Sequence, residues 1–561
     1  MTTSDHFAAA ELARLCVEKG VRHAVISPGS RNAPLIVAFA GHPDIHCLRV
    51  IDERSAGFFA LGMAQQLRAP VVLICTSGSA VLNCAPAVVE AFYQRIPLLV
   101  LSADRPAEWT DQGEGQTIRQ EHVLEPHVKD SFQLPRVMRD DLARMHCGRM
   151  INAAIDATLL PVPGPVHVNV PFDEPLYGTT NDHAPVRTIA QALTEQFVLP
   201  EMARWAIAQL SSLPKVMVLA GQGEWSDGLK RRLQRLASLP QVAMLTEATS
   251  NLDDPGFITS IDRTIAGVDA DNENGLRPDL LITFGGAVVS KRIKGLLRRW
   301  RPEQHWHVDV ARRHFDTYQS LTHDFAVGPE VFFAQVADQV QGNASIYGEA
   351  WRMVASRTRE AHDRLLKNTP FSDLQVFEVL NARIPTDSDV HLSNSTPARY
   401  AQLFDRKPGI RWYGNRGTSG IEGCTSTALG AAFASGRTTT LITGDIAFCH
   451  DSNAFWNEHL SPGTKVIVID NGGGNIFRFI EGPDKDPGLL EWFEAPHTRD
   501  IEKLVKSYDL PYFQASDMTT LKAGLDALYA EHDRPAVLHI ITDALTSPKV
   551  LRDYFDQLRT S

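Results

Sequence analysis

Two side chains that carry oxygen atoms stand beside glycines at the ends of two apolar runs. Asp445 follows Gly444 after "TTTLIT" (438–443), and Asn471 follows "KVIVID" (465–470) and opens the run "NGGGNIF". The two positions are 471 − 445 = 26 residues apart. Short apolar runs of this kind predict strands of a parallel sheet, in which neighbouring carboxyl ends lie side by side.

These residue types suit one kind of binding site. The carboxylate of Asp445, the amide oxygen of Asn471 and a backbone carbonyl near Gly473 would form half of an octahedral shell. Mg²⁺ is usually held by few protein oxygens, while phosphate and water oxygens complete its coordination. Glycines also let backbone N–H groups approach a diphosphate closely. The set therefore predicts an Mg²⁺–diphosphate anchor; the alternative is two ordinary turns after buried strands.

Strand-like runs alternate with longer helical patterns in three blocks, which predicts parallel sheets with crossover helices. The expected strands lie within 23–29, 70–80, 96–106 and 164–173, then 215–221, 241–247, 280–286 and 305–310, then 389–394, 438–445, 465–471 and 535–543. Polar stretches near 178–195 and 340–370 separate the blocks. We predict an α/β fold of three doubly wound parallel-sheet domains, at 1–180, 190–345 and 365–561. The first and third blocks resemble each other, which suggests a duplicated unit.

Composition narrows the classes of function. The chain has 561 residues, too many for one core, and a formal net charge of −11, which argues against a general nucleic-acid binder. Its seven cysteines are scattered without a CxxC pair, as expected for reduced thiols. No apolar run reaches the roughly 18 residues of a membrane span, and the N-terminus resembles a capped helix more than a signal peptide. A cytoplasmic protein is the expectation.

The metal-binding pattern resembles a known signature. "GD" followed some 25–30 residues later by an Asn-Asn pair is typical of thiamine-diphosphate enzymes; here the pair is Asp470-Asn471, so the first asparagine is replaced. Further stretches resemble one family, the 2-succinyl-5-enolpyruvyl-6-hydroxy-3-cyclohexene-1-carboxylate (SEPHCHC) synthases of menaquinone biosynthesis. They are "SPGSRNAPL" (27–35), "DERSAGFFALG" (52–62), "TSGSAVLNCAPAVVEA" (76–91), "LSADRPAEWTDQGEGQTIRQ" (101–120), "SKRIKGLLRRW" (290–300), "SNSTPAR" (393–399) and "NRGTSGIEG" (415–423). The resemblance spans essentially the whole chain.

The resemblance implies pyrimidine-binding, central and diphosphate-binding domains and the cofactor thiamine diphosphate with Mg²⁺ or Mn²⁺. It implies decarboxylation of 2-oxoglutarate and 1,4-addition of the succinyl carbanion equivalent to isochorismate. Glu53, at the start of a helix after a short strand, would be the catalytic carboxylate that contacts the aminopyrimidine; otherwise it is a first-turn acid favoured by the helix dipole. The family also implies a homodimer or homotetramer with active sites at the dimer interface.

The resemblance also implies roles for individual residues, according to the motif in which each residue lies. The family pattern assigns the metal to Asp445, Asn471 and Gly473 and the cofactor to Glu53, Ile421, Gly444, Ile476 and Phe477, with Ile480 beside them. It assigns 2-oxoglutarate to Ser395, Arg399 and Arg416, and isochorismate to Arg31, Arg105, Gln116, Lys291 and Arg292, with Ser30 nearby. Both substrates are dianions, which bidentate cations suit. Taken alone, Lys291 and Arg292 fit the solvated start of a helix better than a binding site.

Three alternatives stay open at this point. Another thiamine-diphosphate-dependent 2-oxoacid carboligase or decarboxylase would share the cofactor signature, although pyruvate would need fewer arginines. A nucleotide-binding oxidoreductase would need G-x-G-x-x-G after the first strand, which "SPGSRN" does not supply. A catalytically inactive paralogue would have no use for Glu53, Asp445 and Asn471 together.

Overall fold

The computed structural model describes residues 2–182, 185–191, 196–311, 314–479, 482 and 487–560. Three sheets follow one another along the chain, and every pairing within them is parallel. A short antiparallel pair joins residues 3–4 to 179–180. The predicted α/β class with three parallel-sheet domains is confirmed; the exact domain limits stay a prediction.

The first sheet lies in the N-terminal third of the chain. Its strands and those of the antiparallel pair are β1 (Thr3–Ser4), β2 (His23–Ile26), β3 (His46–Arg49), β4 (Val71–Cys75), β5 (Leu98–Asp104), β6 (Ser131–Gln133), β7 (Val166–Pro171) and β8 (Thr179–Thr180). The helices are α1 (Phe7–Glu18), α2 (Ala33–Ala40), α3 (Glu53–Leu67), α4 (Ser79–Asn83), α5 (Ala85–Gln94) and α6 (Asp141–Ala157), with a 3₁₀ turn at Ala107–Trp109. The strand order is β3-β2-β4-β5-β7-β6. Inner strands β4 and β7 are buried throughout, as their continuous apolar runs require.

The second sheet is smaller and has a different order. Its strands are β9 (Val216–Ala220), β10 (Val242–Thr246), β11 (Leu280–Phe284), β12 (Gln304–Val308) and β13 (His323–Phe325). The helices are α7 (Pro200–Ser212), α8 (Asp227–Ala237), α9 (Ile261–Ala266), α10 (Glu273–Leu276), α11 (Lys291–Trp300), α12 (Pro329–Val336) and α13 (Tyr347–Leu366), with 3₁₀ turns at Ala248–Ser250 and Ala337–Gln339. The order β10-β9-β11-β12-β13 reverses direction beside β9, where doubly wound sheets bind ligands.

The third sheet repeats the plan of the first. Its strands are β14 (Asp389–Leu392), β15 (Arg411–Gly414), β16 (Thr439–Gly444), β17 (Thr464–Asp470), β18 (Tyr512–Ala515) and β19 (Ala536–Ile541). The helices are α14 (Asp373–Arg383), α15 (Thr396–Tyr400), α16 (Cys424–Ser435), α17 (Asp445–His450), α18 (Pro487–Glu494), α19 (Ile501–Lys506), α20 (Met518–Ala530) and α21 (Thr546–Arg559), with 3₁₀ turns at Ala401–Leu403, Ser452–Phe455 and Asn475–Arg478. The order β15-β14-β16-β17-β19-β18 matches the first sheet when β14 is aligned with β2.

The first and third domains pack through helices α3 and α16, whose backbones nearly touch. A Cβ atom on Gly62 would lie 2.0 Å from the carbonyl oxygen of Thr427, and one on Gly430 would lie 2.0 Å from that of Phe59. Only glycine fits at either crossing point. One continuous apolar cluster includes residues of both domains. The packing therefore fixes the start of α3 relative to the third sheet.

In the described part of the chain, no helix is long and apolar enough to cross a membrane. All seven cysteines are free thiols, and five of them are buried.

Candidate active site

The predicted metal ligands lie at the carboxyl ends of two adjacent strands. Gly444, which ends β16, pairs in register with Ile469 of β17, so Asp445 and Asn471 leave the same edge of the sheet. Both residues are buried. No described N–H or O–H group makes a hydrogen bond to Oδ2 of Asp445 or to Oδ1 of Asn471. Buried oxygens without a donor are costly, and a bound cation would satisfy them. These residues therefore fit Mg²⁺ or Mn²⁺.

Asp373 orients the amide of Asn471. Nδ2 of Asn471 donates to Oδ2 of Asp373 at 3.1 Å, and Oδ1 of Asp373 accepts from Thr542 and Ser547. Because the amide nitrogen is engaged by a carboxylate, the amide oxygen must point away from Asp373 and stays free to bind a cation. Asp373 lies 98 residues before Asn471, and no local sequence pattern links the two.

Electrostatics at Asp445 favour a cation. Burial, with the negative charge of Asp470, raises the pKa of Asp445 to about 8, although the backbone N–H groups of Ile446 and Gly473 oppose the rise. His497 places Nε2 3.3 Å from Oδ2 of Asp445. A divalent cation in this position would favour the ionised carboxylate by direct attraction.

The first two glycines after Asn471 have backbone conformations that other residues rarely adopt, and the second is also sterically crowded. Gly472 and Gly473 have φ angles of 81° and 147°. A Cβ atom on Gly473 would lie 2.6 Å from the carbonyl oxygen of Glu494, which also accepts a hydrogen bond from the Gly474 N–H. Ile476 is buried and Phe477 is half-buried, with its ring 5.2 Å from that of Phe493. Ile480 lies outside the described residues.

Glu53 is the first residue of α3, as the sequence predicted. Asp52 caps this helix by accepting from the Ser55 N–H at 3.0 Å. Glu53 is half-buried, and its Oε2 accepts from Asn83 at 3.3 Å. The next residue, Arg54, donates to the carbonyl oxygen of His450 at 2.7 Å. Since His450 ends α17, the start of α3 lies beside the C-terminal end of this helix, at the opposite end from Asp445.

A cluster of half-buried cations forms where the central and third domains meet. Burial lowers the pKa of Arg292, Arg399 and Arg416, and nearby carboxylates oppose that effect: Asp262 acts on the first two and Glu247 on the third. The guanidinium of Arg292 stacks 3.6 Å from the ring centre of Phe555. The arrangement suits a ligand with two carboxylates, because each guanidinium can donate two parallel hydrogen bonds.

Three other predicted residues belong to the same sequence motifs as these arginines. Ser395 precedes α15 with a φ angle of 77°, Lys291 is exposed at the start of α11, and Ile421 is half-buried before α16. Sequence reasoning missed Glu247, Asp262 and Lys294. Burial raises the pKa of Glu247 to about 7, and this carboxyl group accepts from the backbone N–H groups of Val289 and Ser290, both at 2.6 Å. Its position directly after a strand-like run was the available signal.

The residues assigned to isochorismate in the first domain form a separate set. Arg31 is buried and donates to the carbonyl of Phe172 and to Glu174, both at 3.2 Å. Arg105 lies 3.4 Å from Glu114, and the exposed Ser30 precedes Arg31. Gln116, with a φ angle of 55°, accepts at its carbonyl from Ser77. Among the described residues, no hydrogen bond or ion pair joins this set to Arg399 or Arg416.

Glu90 connects the first domain to the loop that carries Arg416. This buried carboxylate accepts from the N–H groups of Gly417 and Thr418 at 2.7 Å and from the Thr418 hydroxyl at 2.6 Å. The loop therefore depends on a charge supplied by α5. The motif that contains Glu90 was noticed in the sequence, but nothing in it predicts this contact.

Replacing Glu90 with glutamine is expected to disturb the Arg416 loop. An amide cannot accept from three hydrogen-bond donors as a carboxylate does. We therefore expect KM for a dianionic substrate bound at Arg416 to rise about tenfold, which corresponds to about 1.4 kcal/mol. Steady-state kinetics would measure the change. Glu360→Gln, on the exposed side of α13, is the control and should leave KM unchanged; an equal effect of both substitutions would contradict the role of Glu90.

Comparison with known proteins defines the class of this fold and site. A model described as "Thiamine pyrophosphate enzyme, N-terminal TPP binding domain" matches residues 7–125. A model described as "Middle domain of thiamine pyrophosphate" matches residues 191–392. Together with the three parallel-sheet domains, these matches show a thiamine-diphosphate-dependent enzyme.

Full-length relatives identify the family. The SEPHCHC synthase of Flavobacterium johnsoniae is 41% identical over 98% of both chains. That of Porphyromonas gingivalis is 39% identical over 96% of this chain and 94% of the relative. That of Desulfotalea psychrophila is 37% identical over 95% and 98%. The chain belongs to the family of 2-succinyl-5-enolpyruvyl-6-hydroxy-3-cyclohexene-1-carboxylate synthases.

Proposed function

We propose that the chain decarboxylates 2-oxoglutarate and adds the resulting four-carbon unit to isochorismate, as a step of menaquinone biosynthesis. The observation that carries this proposal is the half-buried cluster of Arg292, Arg399 and Arg416. An enzyme for pyruvate would need one cation for one carboxylate, whereas this cluster partly withdraws three guanidinium groups from water. Their desolvation is compensated only in part by Asp262 and Glu247, and a bound dianion would complete the compensation.

The cofactor and metal have matching residues. Asp445, Asn471 and the carbonyl of Gly473 would hold Mg²⁺ or Mn²⁺, and Gly444 and the glycine turn would let backbone groups approach the diphosphate. Thiamine diphosphate supplies the electron sink that decarboxylation requires. Ile421, Ile476 and Phe477 would cover it with apolar surface and exclude water, which protects the reacting carbon from premature protonation.

Glu53 would hold a proton at the aminopyrimidine. A carboxyl group at the first turn of α3 has its position fixed by the Asp52 cap and by Asn83, so it can donate and accept one proton without moving. Arg399 and Arg416, with Ser395, would bind the carboxylates of 2-oxoglutarate. Isochorismate would contact Lys291 and Arg292 from the central domain and the first-domain set of Ser30, Arg31, Arg105 and Gln116.

Substituting Arg399 with leucine tests the donor assignment. Loss of a charge-assisted hydrogen-bond pair costs about 1.5–3 kcal/mol, so KM for 2-oxoglutarate should rise roughly 10- to 100-fold. Release of CO₂ from 2-oxoglutarate in the presence of isochorismate would measure it. Arg364→Leu, which removes an exposed arginine of α13, is the control. An unchanged KM in Arg399→Leu would show that the donor binds elsewhere.

We also propose a dimer whose active sites combine Glu53 of one chain with Asp445 of the other. Mixed dimers of Glu53→Gln and Asp445→Asn chains would then contain one site with both substitutions and one with neither. Random mixing makes half of the dimers mixed, so about a quarter of the parent activity should return. Sedimentation velocity would establish the dimer or tetramer. No recovery on mixing would place each complete site within one chain.

A cytoplasmic location completes the proposal. The seven free thiols support it. The proposed domain limits of 1–180, 190–345 and 365–561 agree with the sheets, whose strands occupy 23–171, 216–325 and 389–541.

A further inference from the structure

Asp470, which replaces the first asparagine of the usual pair, takes part in a hydrogen-bonded chain behind the metal ligands. It is the last residue of β17, and its Oδ2 lies 2.9 Å from Nε2 of His539 on β19. Nδ1 of His539 lies 2.8 Å from the hydroxyl of Tyr512 on β18. The three residues therefore lie on three adjacent strands and connect the edge of the sheet to the metal loop.

The hydrogen bonds that join Tyr512, His539 and Asp470 all run in one direction, toward Asp470. An ionised carboxylate only accepts hydrogen bonds. Nε2 of His539 must therefore carry a hydrogen atom and donate a hydrogen bond to Asp470. In the neutral ring Nδ1 then accepts from the Tyr512 hydroxyl, which fixes the tautomer. The side chain of His539 is only 8% exposed and that of Asp470 is 17% exposed, so water competes little for these bonds.

The other oxygen of Asp470 reaches the metal loop directly. Oδ1 accepts from the N–H of Gly472 at 3.0 Å, across the residue that supplies the metal-binding amide. This bond holds Gly472 at its φ angle of 81° and thereby sets where Asn471 and Gly473 lie. An asparagine has one acceptor oxygen instead of two, so it could not accept from His539 and Gly472 through separate oxygens as Asp470 does.

We propose that His539 is a positioning residue for the metal-binding loop, that it acts through Asp470, and that Tyr512 orients it. The inference rests on the proposed metal site and extends it to residues that make no contact with the metal. Partners behind metal ligands typically change metal affinity 10- to 100-fold when they are removed. A histidine that only fills the sheet would affect stability without this specificity.

The test is a double-substitution cycle read by Mn²⁺ binding, which electron paramagnetic resonance measures in the presence of thiamine diphosphate without turnover. We expect His539→Leu to weaken Mn²⁺ binding about tenfold in the parent chain. In an Asp470→Asn background, His539→Leu should change the Mn²⁺ affinity less than about twofold, because the carboxylate that accepts from His539 is already altered. Tyr512→Phe removes one oxygen at the sheet edge and should weaken binding about threefold.

The control is a second buried histidine–tyrosine pair. Nδ1 of His362 lies 2.7 Å from the hydroxyl of Tyr554, and neither side chain makes a described hydrogen bond to residues 470–474. His362→Leu should lower the thermal midpoint but leave Mn²⁺ affinity unchanged. If His539→Leu does not fold, Tyr512→Phe and its combination with Asp470→Asn decide the question by the same comparison.

The binding results distinguish a failure of the positioning role of His539 from a failure of the proposed metal site. Equal weakening by His539→Leu in both backgrounds, or no weakening in the parent, would overturn the positioning role while leaving the metal site intact. A parent chain that binds no Mn²⁺ with thiamine diphosphate present would overturn both. Weakening in the parent alone, without a matching effect of His362→Leu, is the result expected.

Discussion

Glu53→Gln is expected to lower kcat by a factor of about 10²–10⁴ while leaving cofactor affinity within a few-fold of the parent. Glutamine keeps the shape of the side chain and its contact with Asn83, but it cannot take up and return a proton. A positioned acid–base group contributes this range of rate. Steady-state decarboxylation gives kcat, and quenching of protein fluorescence by thiamine diphosphate gives the affinity.

Glu201→Gln provides a matched control for the helix-dipole explanation of Glu53. Glu201 is also a first-turn acid, at the start of α7, and is exposed. If Glu53 served only the dipole, both substitutions would cost about 0.3–1 kcal/mol of stability and neither would affect kcat. A Glu53→Gln enzyme with the parent kcat would remove Glu53 from the catalytic account.

Asp445→Asn is expected to weaken Mg²⁺ binding at least ~100-fold and to abolish activity at ordinary metal concentrations. The substitution keeps an oxygen in place but removes the only acidic side chain among the three proposed ligands, and hard divalent cations require charged oxygens. Isothermal titration with Mg²⁺ and thiamine diphosphate would measure the affinity. Binding of Mg²⁺ equal to that of the parent would exclude Asp445 as a ligand.

The same substitution should stabilise the metal-free protein, with an effect that depends on pH. Burial and Asp470 raise the folded-state pKa of Asp445 from the ordinary value of 3.8 to about 8. A raised carboxyl pKa means that stability is present at low pH and is lost progressively as pH rises through this window. The thermal midpoint of metal-free Asp445→Asn should therefore exceed that of the parent by more at pH 8 than at pH 5. A difference that shrinks with rising pH would contradict this.

The inner strands of all three sheets were predictable from the sequence, and several edge strands were not. β4, β5, β9, β11 and β17 are largely apolar because both faces are covered. The missed strands β6, β13, β15 and β18 are short, lie at sheet edges and, except for β15, carry mainly half-buried residues. An edge strand pairs on one side only, so its sequence needs less apolar character.

The candidate site likewise contains residues that the sequence predicted and residues that it did not. Asp445 and Asn471 were predictable because strand ends of a parallel sheet lie together, and the resemblance to a family supplied Glu53 and the arginines. Glu90, Asp373 and His539 were not predictable, because each contacts a residue that is 69 or more positions away in the chain. These contacts depend on how distant elements pack, between domains for Glu90 and within the third domain for the other two, and no local pattern records them.

The most direct test of the central claim is consumption of isochorismate, followed by its ultraviolet absorbance, with thiamine diphosphate and Mg²⁺ present. The two donors to compare are 2-oxoglutarate and pyruvate. The account predicts loss of the signal with 2-oxoglutarate only, and no loss when Glu53→Gln replaces the parent. Persistence of isochorismate with both donors, in a protein that binds thiamine diphosphate, would contradict the substrate assignment.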